Sequence, residues 1–381
     1  FVATNSICQG QLVPTLWPLI FDYGQKIVFA HTSFKWTNLA THNAAVTVVI
    51  VVFSNVARSK KYLFSEDSSG HGIALETQNI NAYLSASSDF QITKAASPIS
   101  QIGSMNLGNY PGDGNHLTLT MSEVNTLLEK RPDLKKLIQP VYGAQEFIKG
   151  LTRYCLWIDD ENLELAMSET SIAKRIAAVK EHRTCSRDKS LNKLANRPHQ
   201  YRDRNFPQNH MFLAPTVSSE TREYLPTDIK PKKSQTTNQS FAIYDASIWN
   251  FAILSSHIHL VWIASVCGKL KTDYRYSNTL GWNTFPVPSL TEKNKYDLTA
   301  TAKGIILARE THFPKTLAEL YSPALMPANL REEHERNDEV LERIYIGRRF
   351  KNDTERLEKL FELYTKMIKG IDLNNNKEKA S

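Results

Sequence analysis

A ten-residue apolar run, AAVTVVIVVF from Ala44 to Phe53, most constrains what this chain can fold into. β-Branched residues dominate the run, and they favour extended backbone over helix. It is too short to cross the apolar part of a bilayer as a helix. A continuous apolar stretch of this length is typical of a strand that is buried on both faces of a sheet.

Three segments before this run predict that the strand belongs to an α/β sheet. FVATNSI is typical of a short strand, QGQLVPTLWPLIFDYG of a helix, and KIVFAHTSFKW of a longer strand. The helical spacing places Leu12, Leu16, Leu19 and Ile20 on one face, and Pro14 falls in a first turn, where proline is tolerated. Strand, helix, strand and strand do not make a complete α/β domain. We therefore expect a chain that begins inside one.

The rest of the sequence predicts a mixed region followed by helices. Residues 56–85 have the composition of a connector, residues 167–195 and 247–270 have helical patterns, and residues 228–240 predict a polar loop. Residues 290–372 are helical by pattern. We predict three parts: the end of an α/β domain over 1–59, an α+β domain over 60–288, and a helical region over 289–381.

Charge and cysteine usage narrow the class of protein. The chain has 46 Lys and Arg against 39 Asp and Glu, a net charge of +7, which suits a polyanionic partner without identifying one. Its four cysteines are scattered without a C-x-x-C pair, so we expect neither a zinc site nor a disulfide framework, and a reducing compartment is favoured. His257 and His259 would point to different faces of a helix, so no metal site is predicted.

The most basic part of the sequence lies between residues 173 and 204, with ten Lys or Arg against three Asp or Glu. Such a segment can neutralise phosphates with release of counterions. A solvated helix face is an equally good interpretation of the residues alone. The candidates for contacts to a DNA backbone are Lys174, Arg175, Lys180, Arg183, Arg187, Lys189 and Lys193.

The stretch KTDYRY alternates charge with aromatic residues. As a strand it would place Lys271, Asp273 and Arg275 on one face and Tyr274 and Tyr276 on the other, where they can pack. Lys and Arg donate to guanine O6 and N7, and Asp accepts from cytosine N4, so a Lys beside an Asp suits a G·C pair. The residues alone favour a simpler interpretation, a surface strand whose charges pair with one another.

The sequence SFKW ends a predicted strand with two aromatic residues, Phe34 and Trp36. An enzyme that modifies a base takes it out of the stack and receives it against an aromatic face. The commoner alternative is that both rings are simply part of a hydrophobic core.

Several segments, taken in order, resemble the C-terminal half of MmeI-like (type IIL) restriction-modification enzymes. They are FVATNSICQG, FAHTSFKW, RYCLWI, VSSETREYLP, CGKLKTDYRYSNTLGWNTFPVP and MPANLREEHERNDEVLERIY. The resemblance covers nearly the whole chain. It implies an S-adenosyl-L-methionine-dependent adenine-N6 DNA methyltransferase. Its parts here would be the end of a Rossmann-like methyltransferase sheet with a terminal antiparallel hairpin, a mixed α+β target recognition domain and a helical C-terminal region.

The resemblance also implies roles for individual residues. Phe34, with Trp36 as second choice, would stack on the flipped adenine. Lys271 and Asp273 would act as a pair that chooses the orientation of one terminal base pair, with guanine on the strand being read. The remaining residues implied in base recognition are Arg275, Thr216, Asn238 and Gln239.

Two motifs of adenine methyltransferases are absent from the sequence: the N-P-P-[YF] tetrapeptide and a glycine-containing cofactor motif after a first strand. We therefore expect this chain to bind double-stranded DNA but neither to methylate nor to cut it, with the cofactor held mainly by residues outside it. We expect a cytoplasmic protein of a bacterium or archaeon, near the nucleoid, with no membrane partner and with an endonuclease domain fused N-terminally. The alternatives are a non-catalytic DNA-binding specificity module and a standalone phage-defence methyltransferase without a nuclease.

Overall fold

The computed structural model describes residues 1–36, 46–66, 71–87, 89–270 and 272–378, with side chains as far as residue 371. Within these ranges the strands form four sheets, one in the first part of the chain and three in the middle, and the last part is helical.

The first sheet has five strands. The elements of this part are β1 (Val2–Thr4), α1 (Leu12–Asp22), β2 (Lys26–Trp36), β3 (Val46–Ser54), β4 (Lys61–Glu66) and β5 (Gly72–Thr77). Strand β3 lies between β1 and β2 and is antiparallel to both, whereas β2 and β4 are parallel. The apolar run thus forms a central strand, and β2 and β3 form the antiparallel hairpin.

Two expectations for this part are wrong. Residues 56–85 are not a simple connector, because β4 and β5 lie within them and extend the sheet. The apolar face predicted for α1 is not the most buried one. Val13 and Trp17 are both 0% exposed, while Leu12 and Leu19 of the predicted face are 46% and 61% exposed. The Trp17 indole fixes this rotation, since its Nε1 donates to the carbonyl of Ile7 at 2.6 Å in the middle of the core.

The middle of the chain contains short strands in three sheets and several helices. Its strands are β6 (Met105–Leu107), β7 (Thr118–Leu119), β8 (Ile138–Tyr142), β9 (Tyr154–Leu156), β10 (His210–Pro215), β11 (Val217–Ser218), β12 (Asp228–Pro231), β13 (Gln235–Thr236), β14 (Ser240–Tyr244), β15 (Gly268–Leu270) and β16 (Asp273–Arg275). Its helices are α2 (Met121–Lys130), α3 (Ala144–Lys149), α4 (Leu163–Met167), α5 (Thr170–Thr184), α6 (Lys189–Asn192), α7 (Trp249–Leu254) and α8 (His257–Val266). The sheets have the strand orders β12-β10-β14-β6, β13-β8-β9-β7 and β11-β16-β15.

Three predicted elements in this region differ from those in the structure. The apolar helix predicted over 247–270 is two helices, because Ser256 interrupts it: its hydroxyl accepts from the His259 N–H and caps α8. The polar loop over 228–240 contains β12 and β13, which join two different sheets. The helix predicted over 167–195 is divided between α4, α5 and α6, with Asp188 capping α6 through the Ser190 N–H.

The last part of the chain is helical, as predicted. It consists of α9 (Glu292–Glu310), α10 (Leu317–Leu320), α11 (Ala328–Ile346) and α12 (Asp353–Glu378). These helices share one core with the middle region: Phe251 and Trp262 pack in the same buried cluster as Leu298, Leu341 and Phe361. The C-terminal helices therefore pack against the middle region through a shared hydrophobic core.

Candidate nucleic-acid interface

The alternating stretch forms a hairpin rather than one strand. β15 and β16 are antiparallel, with Leu270 opposite Asp273 and Gly268 opposite Arg275. The single strand predicted across this stretch is therefore wrong, because Thr272 lies in a turn and β16 begins at Asp273. Asp273 and Arg275 share β16 as the alternation predicts, and Lys271 lies outside the described residues. On its other side β16 pairs with β11, with Val217 opposite Arg275.

The aromatic residues of the hairpin pack as predicted. Tyr276 is 4% exposed, and its hydroxyl lies 3.1 Å from His259 Nε2. Burial lowers the pKa of His259 to about 4, so the ring is neutral at physiological pH. Its Nδ1 donates to the carbonyl of Leu254, which leaves Nε2 to accept the Tyr276 O–H. Arg275, between the two tyrosines, is exposed, and Asp273 is partly exposed.

Three other predicted base-reading residues lie directly beside the hairpin. The amide and the hydroxyl of Thr216 both donate to the carbonyl of Gln239, at 3.3 and 2.9 Å, and the Thr216 carbonyl accepts from the Tyr276 N–H at 2.9 Å. The side chains of Asn238 and Gln239 are exposed. Because they are predicted to read bases, we call Thr216, Asn238, Gln239, Asp273 and Arg275 the reading surface and the β15–β16 hairpin the reading hairpin; the role itself stays a prediction.

A close approach of two backbones fixes the loop that carries Asn238 and Gln239. Asn109 pairs with Thr237, and the Asn238 N–H donates to the Asn109 carbonyl at 3.2 Å. A Cβ at Gly108 would lie 2.1 Å from the Thr237 carbonyl oxygen, so this approach requires glycine. The loop that presents two amide side chains is therefore held by backbone contacts.

The predicted phosphate contacts divide into two groups. Lys174, Lys180, Arg187, Lys189 and Lys193 are exposed on and around α5 and α6. Two arginines from the same segment have structural partners instead.

Arg183 cannot reach DNA and is a correction to the prediction. It is 0% exposed, and its guanidinium donates to five carbonyl oxygens, those of Pro111, Gly112, Leu194, Arg197 and Gln200, at 2.6–3.1 Å. Arg175 is half-buried. It forms an ion pair with Glu123 and donates to the carbonyls of His116 and Thr118, so its charge is used within the protein.

The two predicted aromatic residues lie at the end of β2. A register shift between His31 and Phe34 inserts an extra residue in β2 opposite β3, a bulge of the kind that redirects a side chain. Phe34 is half-buried and meets the edge of the His31 ring at 4.7 Å between ring centres, while Trp36 is 44% exposed.

A cleft of about 770 Å³ separates the first sheet from the reading surface. Asn5, Gln9 and Thr47 line one side, and Gly268 and Arg275 line the other. The two sides converge at Gly10, which has φ of +57° and where a Cβ would lie 3.3 Å from the Gly268 nitrogen. The cleft is thus bordered by the carboxyl end of β1 and by the reading hairpin.

Sequence reasoning missed three charged residues in and beside the hairpin, Lys269, Glu220 and Arg222. Lys269 Nζ lies 2.9 Å from Glu220 Oε2, and both side chains are mostly buried. Arg222 is half-buried near Asp273, and burial lowers the pKa of its guanidinium while the Asp273 carboxylate opposes the shift. Because these partners are far apart in the chain, no local sequence pattern could have indicated them.

Two features are absent from the residues that the structure describes. No helix there is long and apolar enough to cross a membrane. Likewise, no group of three or more His, Cys, Asp or Glu side chains is arranged to hold a metal ion in the part of the chain that the structure describes.

Comparison with known proteins identifies relatives over nearly the whole chain. DNA methyltransferase A of Bacillus subtilis (strain 168) is 40% identical over 368 residues, which cover 96% of this chain and 41% of that protein. The structure of the type IIL restriction-modification enzyme MmeI in complex with DNA is 34% identical, with a TM-score of 0.85, and the match covers 97% of this chain and 49% of MmeI. The chain thus spans about half the length, or less, of the relatives it matches.

Three family models match consecutive parts of the chain. Residues 1–65 match the MmeI DNA-methyltransferase domain, residues 86–289 the MmeI target recognition domain, and residues 290–372 the MmeI C-terminal domain. The resemblance and the predicted fold class are confirmed, whereas the boundaries at 59/60 and 288/289 stay predictions. This chain belongs to the MmeI family and carries part of its DNA-methyltransferase domain, its target recognition domain and its C-terminal domain.

Proposed function

We propose that this chain is the sequence-reading part of a longer adenine-N6 DNA methyltransferase that uses S-adenosyl-L-methionine and acts on double-stranded DNA in the cytoplasm. The observation that carries the proposal is the reading surface, where three separate segments bring polar and charged side chains together beside the cleft. Amides suit adenine N6 and N7, Arg suits guanine, and Asp suits cytosine.

The positions of the charges support a division of labour. The five exposed cations Lys174, Lys180, Arg187, Lys189 and Lys193 would contact phosphates and give affinity without sequence preference. The reading surface, with Lys271 added at the hairpin, would enter the major groove and give the preference. Phe34 would receive the base that leaves the stack.

Replacing these five exposed cations by Gln in the full-length protein is expected to weaken binding to every DNA sequence alike. Each phosphate contact that is lost should lower the slope of log K against log salt by about 0.9. Binding titrations at several salt concentrations, on specific and on scrambled duplexes, measure both effects. Lys303→Gln, an exposed lysine on α9, is the control. An unchanged slope would contradict the phosphate role.

The cofactor does not fit the cleft of this chain by itself. S-adenosyl-L-methionine carries a sulfonium cation and a ribose diol, which favour carboxylate partners. The described lining contains Lys269 and Arg275 but neither Asp nor Glu, a set that suits an anion. We therefore propose that the cofactor is held mainly by residues outside this chain, and that the chain alone binds DNA without methylating it.

The similarity to MmeI supports a proposal about the part of the full-length protein outside this chain. Because MmeI is described as a restriction-modification enzyme, we propose that an endonuclease domain is fused to the full-length protein. A DNA methyltransferase without a nuclease is the alternative, and digestion of unmodified DNA by the purified full-length protein distinguishes the two.

The proposal is tested by methyl transfer to duplex DNA. The full-length protein with labelled S-adenosyl-L-methionine should form N6-methyladenine at one sequence. Phe34→Ala should lower the rate at saturating DNA, because the flipped base loses a stacking partner worth about 1–3 kcal/mol, and should leave the affinity for DNA nearly unchanged. Trp36→Ala is the comparison variant. Methylation at cytosine, or a larger effect of Trp36→Ala, would contradict the assignment.

A further inference from the structure

A partly buried cation, that of Lys269, joins both strands of the reading hairpin to a neighbouring segment. Lys269 Nζ lies 2.9 Å from Glu220 Oε2, and the two side chains are only 14% and 23% exposed. The same ammonium lies 5.4 Å from the centre of the Tyr274 ring, and Tyr274 is directly opposite Lys269 in the hairpin. A displacement of the hairpin would therefore separate Lys269 from Glu220.

The segment that carries Glu220 is itself fixed to the C-terminal helices. Glu223 forms an ion pair with Arg331 of α11. The hydroxyl of Tyr224 donates to Asp338 Oδ2 of the same helix at 2.9 Å. Tyr224 is 6% exposed and belongs to the core that the middle and last parts share. Glu220 is thus a fixed point for the hairpin rather than a free surface carboxylate.

A second charge contact links the same segment to the hairpin. Arg222 donates to the Ser218 hydroxyl at 3.5 Å and is attracted by the Asp273 carboxylate. Ser218 in turn lies opposite Tyr274 in the pairing of β11 with β16. Each strand of the hairpin therefore has a charged residue with a partner in this segment. Lys269 on β15 pairs with Glu220, and Asp273 on β16 attracts Arg222.

We infer that the Glu220–Lys269 ion pair is a positioning element for base reading, which holds the hairpin so that Asp273 and Arg275 keep one orientation toward the DNA. The inference rests on the proposed function and assigns a role to two residues outside the reading surface. Contacts to base edges depend steeply on distance and angle, so a small displacement of the hairpin lowers discrimination. An ion pair in a partly buried site is less screened than one on the surface.

A direct contact of Lys269 with a phosphate is the competing interpretation, because Lys269 also borders the cleft. The two interpretations differ for Glu220. If Lys269 bound a phosphate, removing the Glu220 charge would free the ammonium and leave discrimination intact. If the pair positions the hairpin, removing either charge should relax discrimination in the same way.

The test measures discrimination base pair by base pair in the full-length protein. The recognition site is first identified from its methylated positions. Dissociation constants are then determined for that duplex and for duplexes with each base pair exchanged in turn. Glu220→Gln and Lys269→Met should each reduce discrimination about tenfold at the base pairs read by the hairpin, and not at the others. The reversed pair, Glu220→Lys with Lys269→Glu, should restore it in part.

Several outcomes would overturn the inference. Full discrimination in Glu220→Gln would do so, and so would an equal loss at all base pairs, which indicates general destabilisation. A lower salt slope in Lys269→Met with normal discrimination in Glu220→Gln would assign Lys269 to a phosphate. If Lys269→Met does not fold, Glu220→Gln alone decides. Failure of the proposed function would appear differently, as equal affinity of the unsubstituted protein for its site and for scrambled DNA.

Discussion

Arg183→Met is expected to lower the free energy of unfolding by about 3–5 kcal/mol, a large effect for one substitution. The guanidinium is fully buried and uses its N–H groups on five carbonyl oxygens that have been taken out of water. Methionine fills a similar volume but donates no hydrogen bond, so these acceptors lose their partner. Burial, with the nearby Arg197 charge, also lowers the pKa of Arg183.

Two further variants isolate the cause of this loss. Arg183→Lys keeps the charge but supplies fewer donors without the planar fork, so an intermediate loss is expected. Lys180→Met removes an exposed charge from the same helix and should change stability by less than about 0.5 kcal/mol. Urea unfolding of the three variants in the full-length protein measures the series. A loss in Arg183→Met no larger than in Lys180→Met would contradict the structural role.

The same residue shows where sequence reasoning stops. A count of charges in residues 173–204 treats every Lys and Arg as a surface group. Exposure depends on which loops return to the helix, and two of the five carbonyls that Arg183 contacts, those of Pro111 and Gly112, lie about seventy residues before it in the sequence. Composition predicted the basic character of the segment correctly, but it could not separate Arg183 from Lys180.

The first sheet was more predictable because its signals are local. The apolar run became the central strand β3, and the strand–helix–strand–strand order is as predicted. The orientation of α1 was not predictable from apolar spacing, since the hydrogen bond from Trp17 to Ile7, which precedes the helix, decides which face is buried. Strands β4 and β5 were missed because each has only six residues, and the polar, glycine-containing run SEDSSGHG overlaps the end of one and the start of the other.

The reading hairpin was predictable in part, less than the first sheet and more than the burial of Arg183. Alternating residues correctly predicted that Tyr276 packs inward, because a buried tyrosine with a hydrogen-bond partner is favoured there. The pattern could not show that the chain reverses between Leu270 and Asp273, because charge alternation is the same on either side of a hairpin turn. The link to Thr216 and Gln239 depends on the pairing of β11 with β16, which no local pattern specifies.

Exchanging the charges of Lys271 and Asp273 is expected to change which base pair the protein selects. In the full-length double variant Lys271→Glu with Asp273→Arg, donor and acceptor trade places, so a preference for G·C should become one for C·G at that position. Each bidentate contact is worth about 1–3 kcal/mol, so the preference should invert by at least about tenfold in each direction. Asp273 lies on β16 beside the exposed Arg275 and is held near Arg222, which supports its role as an acceptor in this inversion.

Sequencing the methylated positions in DNA from cells that carry the full-length double variant measures this exchange directly. Asp273→Arg alone is the control: it replaces the acceptor by a third cation beside Lys271 and Arg275, so it should lose the preference at that base pair rather than invert it. The other positions of the recognition site should be unchanged in both variants, because Thr216, Asn238 and Gln239 are on separate segments. An unchanged recognition sequence in the double variant would show that this hairpin does not read the base pair, even if it lies against the DNA.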